Sequence, residues 1–316
     1  MKTLFHPILM HFAARYAGYS YREFATDHRA LVESNLKCLE DFETDAVGLI
    51  SDPYRETSAF GAGLSYPEEG VPRCNGPIVG SVEDIVALKN PDVYRAARTL
   101  DRIRAGELLW KHTGGRVSVI GWIEGPLAES CNLAGVNEVL LKLYMDPDFI
   151  RRLIDRVMVT AKDFARAQVE AGCGIIGVGD AICSQVSAEN YRDFVKERHN
   201  ELFAYIHSLG ARVKLHICGN ITHLLEDVRD TEPDIVDIDW MVDMERANTV
   251  LGPGITRCGN LDPVAVIQDK EPESVRREAK ELCRGEQGRN FILSGGCEIT
   301  VNTAPANLKA MRDGAV

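Results

Sequence analysis

The chain has 316 residues, 45% of them hydrophobic and 26% charged, the balance of an ordinary globular protein. A formal net charge of −11 argues against a sequence-independent grip on nucleic-acid phosphates. No apolar run is long enough to cross a bilayer, so neither nucleic acid nor membrane is expected as a partner.

Residues 1–18 carry a short apolar patch that His6, Pro7, His11 and Arg15 interrupt. It lacks the unbroken apolar centre of a signal peptide and reads as the first piece of the fold. From about residue 45, short apolar runs alternate with longer amphipathic ones. Strands are predicted at 46–50, 117–122, 174–178, 212–217, 235–239, 255–257 and 291–293. Between them fall helical patterns at 136–170 (broken at Asp146-Pro147), 188–209, 221–229 and 272–284. In 188–209 the residues Tyr191, Phe194, Val195, Leu202 and Ile206 recur at three- and four-residue spacing, so one face packs inward.

Strand then helix, repeated, means parallel strands joined by crossover helices. An eighth strand, near residues 76–79 or at the N-terminus, would close an α/β TIM-like (β/α)8 barrel. An open doubly wound sheet is the rival. The dinucleotide fingerprint GxGxxG is absent, Gly61-Ala62-Gly63 being only a weak echo. No linker or repeat divides residues 1–316, which read as a single domain. Residues 52–80, rich in glycine and proline, are long for a connection and form a candidate lid or docking flap.

The segment 213–220 reads as a strand entering a tight turn. Side chains two apart on a strand point the same way, so His216 and Cys218 can face one ion. Cys297 follows another strand and the glycines Gly295-Gly296, ahead of a helix with Thr303 as cap and Pro305 in its first turn. In a barrel both turns lie on the open rim, where active sites are built. One imidazole and two thiolates suit Zn2+, and three protein ligands leave a tetrahedral position open, as catalytic zinc requires. Singly, a cysteine on a strand packs as a small hydrophobe; the pair at spacing two together with a third ligand at another strand end points to metal. Cys258, in Thr256-Arg257-Cys258-Gly259-Asn260, ends the strand between the other two and could replace one thiolate.

Asp237 and Asp239 share a strand face, and Asp180 follows Gly177-Val178-Gly179. Asp239 and Asp180 read as a resting fourth ligand, a proton donor or a substrate partner; helix caps or solvated loop acids are the plainer alternative. His11, Trp122, Glu124, Cys183 and Trp240 fall at the open end, as pocket walls or as packing. Nine cysteines, an odd number without a secretory signal, suit metal binding or reduced thiols and imply a cytoplasmic setting.

HICGN at 216–220, GNLDP at 259–263, and LSGGCEI at 293–299 with the following NTAPANLKAM resemble the uroporphyrinogen decarboxylase superfamily. More narrowly, they resemble its zinc-dependent methyltransferases, which exchange methyl groups with corrinoid proteins. The resemblance implies zinc on His216, Cys218 and Cys297, and a corrinoid supplied by a partner protein. It implies methyl transfer to or from a small thiol or methylated substrate. Asp239 is then the expected catalytic acid, and His11, Asp180 and Asn260 the expected substrate contacts. The decarboxylase itself carries an RQAGR run; here His11-Phe12-Ala13-Ala14-Arg15 keeps only the last arginine. A metal-free decarboxylase and a non-catalytic barrel stapled by zinc are the alternatives.

Overall fold

The computed structural model describes residues 3–67 and 69–315. Eight parallel strands form one sheet: β1 (Leu4–Phe5), β2 (Ala46–Gly48), β5 (Ser118–Glu124), β6 (Ile175–Gly179), β7 (Arg212–His216), β8 (Ile235–Ile238), β9 (Thr256–Leu261) and β10 (Phe291–Gly295). A separate antiparallel hairpin, β3 (Leu64–Ser65) and β4 (Arg73–Cys74), lies in the connection after β2. The sheet runs β1-β10-β9-β8-β7-β6-β5-β2. Its two end strands meet at a seam, where the Asp45 amide donates to the Phe5 carbonyl and the Phe5 amide to Asp45 Oδ2, both at 2.9 Å. The result is a nearly closed TIM-like α/β barrel, which settles the choice against an open sheet.

The eighth strand is therefore N-terminal. Residues 76–79 stay outside the sheet, and the Ile78 and Val79 amides donate to the Leu133 carbonyl. The predicted break at Asp146-Pro147 is present, because the Asp146 side chain accepts from the Phe149 amide and starts the helix Pro147–Glu170. The predicted helix 188–209 is less regular: a π-helical turn, Tyr191–Lys196, precedes Glu197–Ser208. Its apolar positions are buried nonetheless. Helix begins only at Leu225 in the segment predicted from 221, and the helix after Cys297 is capped by Ala304 rather than Thr303.

Alternation along β7 divides the core. Val213 and Leu215 pack outward under the helices, in the main hydrophobic core. The alternate residues Arg212, Lys214 and His216 turn into the barrel. A small apolar floor of Ala46, Ile120, Ile175, Ile235, Cys258 and Ile292 fills the barrel interior.

β9 runs four residues past its expected end, to Leu261. Cys258 is consequently in mid-strand and fully buried, not at the rim.

Candidate metal centre

His216 ends β7, and Cys218 follows after one residue at a turn where Gly219 takes a φ of +94°, a backbone region that favours glycine. Asp239, just past β8, clamps that turn: its Oδ2 accepts from the Gly219 amide at 2.8 Å and its Oδ1 from Met241 at 3.0 Å. Cys297 lies two residues beyond β10. Gly296 before it cannot carry a side chain, since a Cβ there would fall 2.4 Å from the Trp240 amide nitrogen.

These turns bring His216, Cys218 and Cys297 together. His216 Nε2 is 2.8 Å from Cys218 Sγ and 4.0 Å from Cys297 Sγ, and the two sulfurs are 3.4 Å apart without a disulfide. Tetrahedral zinc bonds of about 2.0–2.3 Å put neighbouring N and S donors roughly 3.5–3.8 Å apart. The observed edges bracket that range, and the donor set is of the type zinc prefers. Among the described residues this is the one group of three or more His, Cys, Asp or Glu with ligand atoms this close, all within 4.8 Å. Cys258 is not in it; its sulfur accepts from Lys214 Nζ at 3.2 Å, and burial pushes the thiol up to about 12.

The ionisation of the three side chains is mutually coupled. The Cys297 thiol is drawn down to about 4 by the hydrogen bond from Cys218, against burial and with help from His216. Cys218 is pushed up by that same bond and by burial. Burial alone would depress His216, but Cys218 and Asp237 hold it well above its usual range. Thiolate, thiol and imidazolium thus share protons that a dication would displace.

A second layer fixes the imidazole: Asp237, noted in the sequence only as sharing a strand face with Asp239, and Lys214, which the sequence pattern did not single out. Asp237 Oδ2 meets His216 Nδ1 at 2.8 Å, and Lys214 Nζ donates to Asp237 Oδ1 at 2.5 Å. Burial would raise the Asp237 carboxyl, yet Lys214 and His216 hold it well below the carboxylate range. The available signal was Lys214, a lysine two residues before His216 on an inward strand face. Trp122 also abuts the centre, its ring 5.6 Å from that of His216. Glu298, beside Cys297, accepts from the His11 amide at 2.8 Å, and burial lifts it to about 7.

Other expected site residues are placed differently. Asp180 is fully buried and caps the helix Pro126–Ala134, accepting from the Leu127 and Ala128 amides, while His199 Nε2 lies 3.0 Å away. Both of its carboxylate oxygens are thus engaged within the fold, in the manner of a helix cap. The Asn260 amide donates to the Asp239 and Val242 carbonyls and so fastens the loop after β8. His11 is half-buried, packs on Tyr21 and lies 3.2 Å from Glu69 of the 52–80 segment. That segment has structure of its own, the helix Arg55–Ala59 and the β3–β4 hairpin. Cys183 is fully buried, whereas Trp240 is 49% exposed. Arg15 bonds Asn302 and lines a groove with Phe12, Tyr16 and Pro305. No described helix is long and apolar enough to cross a membrane.

The family model "Uroporphyrinogen decarboxylase (URO-D)" matches residues 6–315. A uroporphyrinogen decarboxylase from Chlorobium phaeovibrioides is 28% identical over 88% of this chain and 81% of its own. A methylcobamide:CoM methyltransferase, MtbA, from Methanosarcina mazei is 28% identical over 84% of this chain and 78% of its own. Among solved structures, a methyltransferase from Methanosarcina mazei superposes with a TM-score of 0.91 at 22% identity, covering 99% of this chain and 93% of that one. A B12-independent methionine synthase from Shewanella superposes at 0.63 and 14% identity, over 91% and 86%. At such identities the superpositions speak for the fold.

Proposed function

The chain belongs to the uroporphyrinogen decarboxylase family, and we propose that within it this protein is a zinc-dependent methyltransferase that exchanges a methyl group between a corrinoid carried by a partner protein and a small substrate. The observation that carries this reading is the convergence of His216, Cys218 and Cys297 at the barrel mouth. The similarity to MtbA supports it, although several relatives of comparable identity are named uroporphyrinogen decarboxylase.

Zinc held by these three residues would act as a Lewis acid on a thiol or on the heteroatom of a methylated compound. The protein's own groups do the rest. Asp237 and Lys214 fix the imidazole so that Nε2 faces the two sulfurs. Asp239 braces the turn that carries Cys218 and is the carboxylate we assign to proton transfer at the substrate heteroatom. The His11–Glu69 contact ties the 52–80 segment to the N-terminal helix Met10–Ala17, so that segment is the proposed lid.

The test is methyl transfer with methylcobalamin against a panel of thiols and methyl ethers, wild type beside Cys218→Ala. Transfer that disappears in the variant supports the reading. Porphyrinogen turnover without bound zinc would favour the decarboxylase instead, a reading that the relatives' names suggest. The loss of the first arginine of its clamp weighs against it.

A further inference from the structure

Glu124 ends β5 in register with Gly179 of β6, and Gly179 is in register with His216 of β7. Residues in register on neighbouring parallel strands turn to the same face. Glu124 and His216 therefore face the barrel interior at one level, with a residue lacking a side chain between them. The Trp122 indole fills that gap; a Cβ on Gly179 would lie 2.8 Å from its ring. Its Nε1 donates to Glu124 Oε1 at 3.1 Å while its ring abuts His216. Trp122 and Glu124 thus extend the wall of the candidate centre.

Glu124 is also one of three buried acids. Glu56 Oε1 accepts from the Glu124 amide at 2.9 Å, and Glu129 Oε2 accepts from Thr57 Oγ1 at 2.9 Å. Glu56 Oε2 and Glu129 Oε1 are buried without a hydrogen-bond partner. The facing cation is Arg102, which is bonded to the Trp122 carbonyl and to Ser51 and Asp52. Arg55 and Arg98 are engaged by Asp101 and Asp52. Tyr54, from the covering segment, lies within electrostatic range of Glu124, Glu129 and Cys74. Three buried carboxyls opposite one guanidinium cannot all ionise. Burial pushes Glu124 well above the carboxylate range, and Glu56 and Glu129 add to the shift.

We propose that Glu124 is a specificity-determining residue of this site, donating a hydrogen bond to an acceptor oxygen on a small substrate whose other end lies at His216, Cys218 and Cys297. The proposal rests on the metal-centre reading above. It names a substrate class: small thiols or methyl compounds bearing a carboxylate, ether or similar oxygen, in preference to those bearing an ammonium group. An ammonium group brings donors to a carboxyl that already holds its proton, whereas an oxygen acceptor completes the pair.

The experiment uses the cobalt(II)-substituted protein, with thiol binding read from the sulfur-to-cobalt charge-transfer band. The probes are 3-mercaptopropionate and cysteamine. Wild type should bind the carboxylate thiol roughly tenfold more tightly than the amine. Glu124→Ala should bring the two near parity, and Glu124→Gln, whose amide also donates, should retain the preference. Infrared spectra of the metal-free protein should show a carboxylic C=O band that Glu124→Gln loses. An unchanged ratio in Glu124→Ala, or no such band in wild type, would overturn the proposal. A wild-type cobalt protein that binds neither thiol brings down the metal-centre reading instead; the infrared difference, which needs no metal, then supports or overturns the state of Glu124 by itself.

Discussion

His216 and Asp237 occupy registered positions on β7 and β8, and their side chains meet at 2.8 Å between Nδ1 and Oδ2. This fixes which imidazole nitrogen faces Cys218 and Cys297, because Nδ1 is already held. A carboxylate behind a metal-binding histidine orients the ring and raises its basicity.

Asp237→Asn should therefore weaken zinc binding by roughly 10- to 100-fold while leaving the three donors in place. Competition with a chromogenic chelator measures this directly. An unaltered affinity would mean that Asp237 serves the fold alone.

Cys258 separates two ways of choosing the sulfurs. Its thiol lies in mid-strand against Lys214, away from the cluster. Cys258→Ser should keep one zinc per chain, whereas Cys218→Ala and Cys297→Ala should lose it; metal analysis after dialysis decides. Loss of zinc in Cys258→Ser would reassign the ligand set.

In metal-free protein Cys297 should react as a thiolate well below the pH at which ordinary thiols do. Its pKa is drawn down to about 4, so the thiolate persists as pH falls from 8 to about 5 and disappears only near 4. Alkylation by iodoacetamide, mapped by mass spectrometry at pH 6, should mark Cys297 first. Cys218→Ala removes the principal hydrogen-bond donor, and the reactive range should move upward.

Asp52 is fully buried and bonded by Arg98 at 2.7 and 2.8 Å. Burial opposes its ionisation, but Arg98 holds it below its usual range. A depressed acid stabilises the fold above its unfolded pKa of about 3.9, and that contribution is lost as pH falls toward the folded value. Asp52→Ala would leave Arg98 buried without its partner, at a cost of about 3–5 kcal/mol in urea unfolding at pH 7. The deficit should shrink as pH falls below 4.

Gly179 and Gly177 admit the Trp122 indole; a Cβ on Gly177 would lie 2.4 Å from its ring. Gly177→Ala should destabilise the barrel by about 1–3 kcal/mol and displace the indole. Thermal unfolding and tryptophan fluorescence report the two effects, and an unshifted emission would contradict the packing described for Trp122.

Much of the barrel is readable from residue order. The strand–helix alternation identifies seven strands, because a buried parallel strand is a short apolar run. The two-residue β1 carries no such pattern; it belongs to the sheet through Leu293 and Asp45, which lie far along the chain. The same limit moved Cys258. Gly259 and Asn260 look like a turn, yet the β9 ladder continues through them beside β10 to Leu261.

His216 and Cys218 at strand spacing and Cys297 after two glycines were legible as candidate donors, because alternation along a strand and a glycine turn are local properties, but Cys258 stood beside them as a substitute. Tertiary packing set Cys258 apart from the group and chose the distant groups that the three candidate donors meet. Register across β5 to β8 aligned Glu124, Gly179, His216 and Asp237 in one row. It placed Lys214 beneath Asp237 and left Asp180 to cap a helix. Register follows from packing and closure of the whole barrel, where each strand's position depends on its neighbours, and no short window of sequence contains that information.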